Sequence, residues 1–470
     1  MPMTFDKCYR VGGCVRDRLL GLEPTDIDYV VIGESPESML SRGFTQVGGD
    51  FPVFLHPETG DEYALGRSEI STGDGYNDFK YDWKGITLEQ DLSRRDCTIN
   101  AMAELDDGTV FDPFGGRKDL DTGTLRHVSP SFAEDPLRIL RVARFAARYD
   151  FSVAPETMAL MTAMTAQGML NPTTLSGKPN IKPERVWKET EKAMLTPNPH
   201  VYFEVLDACG ALKVLFPELE MMKGIPQRDD FHAEGDVWIH TRMVLEEAAQ
   251  LTTDHSNESA LRIRMAALLH DLGKIKTPAD LLWYPDGSVR GHHHSHEKPE
   301  RFEGLLKTLS ARIKMPSEIE HFVHKCALTH QEVHRISQAG REGLTALYER
   351  LDLDRIQRHD KVFLADVATM CAADNFGRRV RQKDGSTTRP DKYPQGAYLL
   401  EAMAVVATVK PGPIMQATMA KEEARAIERN RKPDKAVILE AAKTAVRTAR
   451  RMAVKRFLKE QPEIDFGPGR

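Results

Sequence analysis

Around Ile27 apolar side chains take every second position, and strand residues two apart share a face. With Ile27, Tyr29 and Val31 toward a core, Asp26 and Asp28 are expected side by side on the opposite face. Similar short runs at Asp28 to Ile32, Phe51 to Leu55, Asp61 to Leu65 and Thr109 to Phe111 alternate with Gly- and Asp-rich turns, and Gly13 to Leu20 reads as a helix. The first 130 residues therefore predict a small α/β unit. From Glu134 the apolar period becomes helical. EDPLRILRVARFAARY opens on two acids with Pro136 in its first turn, and it gathers Arg138, Arg141, Arg144 and Arg148 into a stripe about 120° wide. Ile139, Val142, Ala143, Ala146 and Tyr149 fall on the other side. Another helix is expected from Pro183 to Met194. Polar loops are expected at 171–182 and 384–395, a linker at 221–235, and helices broken by Pro411-Gly412-Pro413 as far as about Lys459. The class is α+β, an α/β head followed by a mostly helical chain.

Composition narrows this. The 470 residues, 41% hydrophobic and 29% charged, suit several globular domains. No run of about 18 uncharged apolar residues predicts a membrane span, and MPMTFDKCYR lacks the apolar core of a signal peptide. Six cysteines without a C-x-x-C point to reduced thiols and a cytoplasmic protein. The net charge of −6 conceals an asymmetry, because residues 421–470 carry 14 Lys/Arg against 8 Asp/Glu. Such a basic tail suits either phosphate contact or a solvated helix of mixed charge.

Adjacent carboxylates repel, and a hard Mg²⁺ ion that also holds nucleotide phosphates is one common remedy. An isolated D-x-D also suits the solvent face of an edge strand. Gly12 and Gly13 allow backbone to approach phosphates, with Arg16 following on the helix. Glu62 offers a third carboxylate to position an attacking hydroxyl, and Arg94, Arg95 and Asp96 precede an apolar run.

V-G-G-x-V-R-D-x-L-L-G, D-x-D, R-R-D-x-T-I-N-A, D-P-F-G-G, E-D-P-L-R-x-x-R-x-x-R-F and P-E-R-V-W-K-E stand in this order over roughly residues 9–220. The series resembles that of the class II CCA-adding tRNA nucleotidyltransferases. The resemblance implies a polymerase-β-like nucleotidyltransferase head over 1–133 and a helical neck and tRNA-binding region over 134–222. It also implies addition of the 3′-terminal CCA to tRNA from CTP and ATP without a nucleic-acid template. Asp26 and Asp28 are then the Mg²⁺ ligands, and Gly13, Arg16 and Arg95 contact the nucleotide. Asp135 and Arg138 read the base edge, and Arg141 and Arg144 complete the site. Cys97 departs from the larger apolar residue common in the family and is expected to be a small buried hydrophobe. Whether all three nucleotides are added depends on a loop within 68–85, whose Gly, Asp and Asn content favours full addition.

A second constellation begins at His240 and continues through His270-Asp271, His296, His330 and Asp374. Imidazoles and carboxylates on successive helices can converge on divalent ions. The order resembles the HD phosphohydrolase superfamily, and its position resembles the bacterial multifunctional CCA enzymes. The resemblance implies phosphatase, 2′-nucleotidase and 2′,3′-cyclic phosphodiesterase activities in an HD domain over 223–385. It also implies a divalent transition metal such as Ni²⁺ and a helical tail over 386–470. His292 to His294 read as a solvated loop, and Lys274 as either a helix-end cation or a phosphate contact. The expected partners are tRNA, CTP and ATP, with no membrane, and the chain is expected to act as a monomer or homodimer. Two rival readings are a poly(A) polymerase and an HD nucleotidase with a tRNA-docking head.

Overall fold

The computed structural model describes residues 5–24, 26–47, 53–71, 79–83, 85–105, 107–171, 180–429 and 432–460. Parts of the expected loops at 68–85 and 171–182, and the last ten residues of the basic tail, lie outside these. The chain forms two compact units, Met1–Pro217 with Arg312–Lys314, and Glu218–Ala311 with Met315–Arg470.

Short strands build the first unit: β1 (Cys8–Val11), β2 (Asp28–Val31), β3 (Thr45–Val47), β4 (Val53–Leu55) and β5 (Glu62–Leu65), then a separate hairpin of β6 (Ser68–Ser71) and β7 (Phe79–Asp82), then β8 (Ala103–Glu104) and β9 (Val110–Phe111). The main sheet has the order β3-β4-β5-β2-β1-β8-β9. The pair β2 and β5 is parallel and its other pairs are antiparallel. Strands β1, β3 and β8 have no counterpart among the runs read from sequence.

Two cores cover the two faces of the sheet. Val30 packs with Val11, Leu92, Ala101 and Ala103, whereas Val31 packs with Met39, Phe44, Phe54 and Leu65. A central strand covered on both faces has no solvent side, and this corrects the expected outward direction of Asp28. Asp28 shares its face with Val30 and lines a cleft together with Arg94, Arg95, Asp96 and Asn100. Asp26 is also displaced from expectation: β2 begins at Asp28, and Asp26 lies exposed in the bend before it.

The arginine-rich helix runs over Leu137–Tyr149, three residues later than its acids suggested, because Pro130–Glu134 forms a 3₁₀ turn and Asp135 is extended. Its back packs on helices Pro183–Met194 and Pro199–Ala208. Ile139, Val142, Ala143 and Ala146 are fully buried, as the helical period requires.

The second unit is helical. Helices Val237–Leu251, Asn257–Leu269, Ser317–His334 and Phe363–Phe376 pack on one another. Helix Pro394–Ala407 packs on Phe363–Phe376 and on the long helix Lys435–Glu460. The loop expected at 384–395 holds one strand of a small hairpin, Val380–Arg381 with Thr387–Thr388. On the last helix Ile438, Ala442, Val446, Arg450 and Val454 form a buried stripe, with Arg450 held by Asp354 at 2.5 Å and Arg447 by Glu349 at 3.1 Å. Part of the tail's positive charge is thus engaged internally. Among the described residues no helix is long and apolar enough to cross a membrane.

Candidate active sites

Gly12 turns the chain from β1 into helix Gly13–Leu19 at φ 74° and ψ −127°, a conformation open in practice to glycine alone. A Cβ there would lie 2.8 Å from Arg95 Nη1 and 4.0 Å from Asp28 Oδ2, so backbone, carboxylate and guanidinium meet at this turn. They line a cleft of about 450 Å³ together with Gly13, Arg16, Arg94, Asp96, Asn100, Asp135, Arg138, Arg141, Arg144, Phe145, Arg148 and Arg185. On β5, Glu62 is the register partner of Asp28 and is exposed. Burial raises Asp28 above the ordinary carboxylate range, Arg95 partly offsets this, and Asp26 is near enough to add to the rise.

The cations of the cleft are not free side chains. Asp91, fully buried, accepts from Arg94 Nη2 at 2.7 Å and from Arg95 Nη2 at 3.3 Å. Asp96 accepts from Arg141 Nε at 2.7 Å, from Asn100 Nδ2 at 2.9 Å and from the Cys97 amide at 2.8 Å. Burial alone would raise the Asp96 carboxyl, but the Arg141 guanidinium and these hydrogen bonds hold it well below its usual range. Arg16 donates to Asn100 Oδ1 and Asp17 Oδ1, and Arg144 Nε donates to Glu189 at 2.6 Å. Arg138 donates to the carbonyls of Ser131 at 2.6 Å and Arg94 at 2.7 Å. Asp135 accepts the Leu137 amide at 3.0 Å and faces Arg185 at 3.3 Å.

The structure thus brings Gly13, Arg16, Asp28, Arg95, Asp135, Arg138, Arg141 and Arg144 to one cleft and leaves Asp26 and Glu62 off its lining. Asp91, Asn100 and Glu189 are new. They lie in or beside quoted motifs, yet a lone acid or amide gives no sign of its partner. Cys97 is fully buried and its thiol is pushed well up by burial, as a small hydrophobe should be.

In the second unit the expected residues converge in a buried cluster. His240 Nε2 lies 3.1 Å from Asp374 Oδ1, His270 Nε2 3.2 Å from Asp271 Oδ2, and His296 Nε2 3.2 Å from Asp271 Oδ1. His296 and His330 meet through their Nε2 atoms at 3.0 Å. Gly273 makes this possible, since a Cβ there would fall 1.9 Å from the His296 carbonyl oxygen. His270 Nδ1 faces the Ala267 carbonyl at 2.9 Å and His330 Nδ1 the Ala327 carbonyl at 2.9 Å, which turns both Nε2 atoms inward.

Four residues outside the sequence-derived set join the cluster. Glu234 sits 2.9 Å from His240 Nδ1 and pairs with His232 at 2.8 Å, so the stretch read as a linker supplies a carboxylate to the site. His334 Nε2 lies 2.6 Å from Asp374 Oδ2, with Tyr393 beyond it. Lys274 stands in the last turn of the 3₁₀ helix Leu272–Lys276, buried, 2.7 Å from Asp271 Oδ2 and 2.7 Å from Gln227 Oε1. His293 also departs from expectation, half-buried between Thr277 Oγ1 and the Pro226 carbonyl, with burial lowering it to about 3.

The donor set fits a divalent transition metal. Imidazole nitrogens with carboxylate oxygens suit such ions, and His240–His270–Asp271, His270–His330–Asp374 and Asp271–His296–His330 each bring one donor atom per residue within 4.8 Å of the others. His270 Nε2 and both oxygens of Asp271 are buried without a hydrogen bond of proper geometry, which is how atoms reserved for an ion stand. Burial would raise Asp271, but His270 and Lys274 beside it hold it well below the usual carboxylate range. In the head, the carboxylates of Asp28, Asp26 and Glu62 are hard oxygen donors of the kind Mg²⁺ takes.

Residues 8–126 match the family model of the poly A polymerase head domain. Residues 177–222 match that of the probable RNA and SrmB-binding site of polymerase A, and 237–358 the HD domain. A multifunctional CCA protein of Dechloromonas aromatica is 46% identical over 409 residues, which covers 86% of this chain and 90% of the relative. One of Nitrosococcus oceani is 44% identical over 445 residues, 94% of this chain and 99% of the relative. Among solved structures, the Bacillus stearothermophilus CCA-adding enzyme in complex with CTP aligns with a TM-score of 0.56 at 21% identity, covering 96% of this chain and 89% of that one. A Thermotoga maritima CCA-adding enzyme complexed with tRNA aligns at 0.52 and 17% identity, covering 97% and 88%. At these identities the structural likeness concerns the fold alone.

Proposed function

The chain belongs to the multifunctional CCA protein family, with a polymerase-type nucleotidyltransferase head ahead of an HD domain, and from that premise we propose that it adds the 3′-terminal CCA to tRNA from CTP and ATP. The observation that carries this reading is the cleft in which Asp28 faces Arg16, Arg95, Arg138 and Arg141.

Asp28 and Asp26 would hold Mg²⁺, which when bound lowers the barrier to in-line transfer by neutralising charge on the phosphates. Arg16 and Arg95 bind the triphosphate, Gly12 and Gly13 let it approach the backbone, and Glu62 orients the attacking 3′-hydroxyl. Asp135 accepts from an exocyclic amine and Arg138 donates to ring or carbonyl acceptors, so the pair reads the base edge. Arg141 and Arg144 complete the site. The boundaries at 133, 222 and 385 belong to the same proposal, as do a cytoplasmic location and a monomer or homodimer.

In the second unit His240, His270, Asp271, His296, His330 and Asp374 would hold a transition metal such as Ni²⁺, which when bound supplies an activated water for phosphoester hydrolysis. The natural ester classes are those of a phosphatase, 2′-nucleotidase and 2′,3′-cyclic phosphodiesterase. A poly(A) polymerase reading draws on the models of the head and of the RNA-binding site and leaves the buried His/Asp cluster without a role.

One incubation decides between the readings. The full chain with tRNA lacking CCA and labelled CTP or ATP is expected to add C, C and A and stop. A long A tail, or no incorporation, overturns CCA addition, and incorporation that survives Asp28→Ala overturns the role given to Asp28. Hydrolysis of a phosphate ester is expected only with added transition metal and is expected to vanish in Asp271→Ala. Metal-independent hydrolysis surviving that change overturns the second activity.

A further inference from the structure

His334 has both ring nitrogens engaged. Nε2 lies 2.6 Å from Asp374 Oδ2, and Nδ1 lies 2.9 Å from the Tyr393 hydroxyl. Its side chain is 5% exposed. A carboxylate only accepts, so Nε2 carries the proton in its bond to Asp374, and the phenol donates to Nδ1. This is one self-consistent chain of donors, Tyr393 to His334 to Asp374. Both nitrogens of His334 are thus engaged, and among the described residues His334 belongs to none of the groups of donor atoms that converge within 4.8 Å of one another.

The effect falls on Asp374. With Oδ2 occupied, its other oxygen, Oδ1, faces the cluster 3.1 Å from His240 Nε2 and 3.8 Å from His270 Nε2. We propose that His334 and Tyr393 are positioning residues that pin Asp374 so that it offers a single, fixed oxygen to a divalent cation. The proposal rests on the reading of this cluster as a metal site. Partners of this kind fix the orientation and basicity of a ligand, and losing one typically costs about 10- to 100-fold in metal affinity.

The geometry spans three helices. His334 is the last residue of Ser317–His334, Asp374 lies near the end of Phe363–Phe376, and Tyr393 immediately precedes Pro394–Ala407. The Asn375 side-chain amide donates to the Lys392 carbonyl at 3.2 Å and ties the residue before Tyr393 to the residue after Asp374. Tyr393 lies outside the 237–358 span of the HD model, in sequence otherwise read as tail.

The test uses the full chain and Co²⁺ as probe, with affinity from calorimetry and ligand geometry from the visible absorption of the bound ion. Wild type is expected to bind Co²⁺ at a site lost in Asp271→Ala. Tyr393→Phe and His334→Ala are expected to bind at least 10-fold more weakly with an altered spectrum. His334→Gln, which can still donate to Asp374, is expected to recover part of both, whereas a merely structural role would leave the spectrum of the bound ion unmoved. If wild type binds no Co²⁺, the metal-site reading falls and this proposal with it. If wild type binds but Tyr393→Phe and His334→Ala match it in affinity and spectrum, the positioning role alone is overturned.

Discussion

Arg141 Nε stands 2.7 Å from Asp96 Oδ2, so the guanidinium near the middle of helix Leu137–Tyr149 is anchored to the segment that follows Arg94 and Arg95. The Asp96 side chain is 6% exposed and that of Arg141 37%. Breaking a buried pair costs about 3–5 kcal/mol, and the partial exposure of Arg141 places this one near the lower end. Asp96→Ala is expected to lower the unfolding free energy by about 3 kcal/mol in denaturant titration. The pair also carries a pH signature. The folded-state carboxyl is depressed, so its contribution is fully present above the ordinary value of 3.8 and disappears as pH falls below it. As pH falls from about 4 toward 2 the wild type should lose stability more steeply than Asp96→Asn.

Gly12→Ala forces a Cβ into the glycine-only turn. The atom it meets first is the end of a flexible arginine, so the dominant cost is backbone strain of about 1–3 kcal/mol. Calorimetric melting should fall accordingly. Labelled CTP incorporation should fall further than melting suggests, because Arg95 is displaced from Asp28.

Arg138→Lys keeps the charge and loses the fork. A lysine cannot serve the Ser131 and Arg94 carbonyls together while presenting donors to a base. Discrimination between CTP and ATP in single-nucleotide incorporation is expected to narrow by at least 10-fold, with tRNA affinity in filter binding little changed. Unaltered discrimination would count against base reading by this residue.

Gly273→Ala places a methyl where the His296 carbonyl stands. Overpacking against backbone costs about 1–3 kcal/mol, and the shift removes His296 Nε2 from its 3.2 Å approach to Asp271 Oδ1. Ni²⁺ affinity measured by calorimetry should drop by at least 10-fold, while CTP incorporation stays at the wild-type level.

The arginine stripe and the helix starting at Pro183 could be read from residues alone, because helical period and proline placement are local, whereas the His/Asp series was legible through its resemblance to a known order. What the strand alternation missed was the environment of β2. Val30 breaks the alternation, and its burial opposite Val31 shows a strand with two covered faces. Glu189 was illegible for a different reason: a single acid on a helix is ordinarily a surface residue, and only tertiary contact with Arg144 distinguishes it. Asp91 had local partners, Arg94 and Arg95 three and four residues on, but its complete burial had no sign in the sequence. His334 had a local signal, four residues after His330 and so on the same helical face. Tyr393, 59 residues further on, had none.

The carboxylates and carbonyls that hold Arg16, Arg95, Arg138, Arg141 and Arg144 also set when their freedom is lost. An unrestrained arginine forfeits about 0.5–1.5 kcal/mol of rotamer entropy when a ligand immobilises it. Here that loss falls on folding, before any nucleotide arrives. Binding of CTP or ATP to the head should therefore show a smaller unfavourable entropy than a cleft of mobile cations would, and the cleft should change little between C and A.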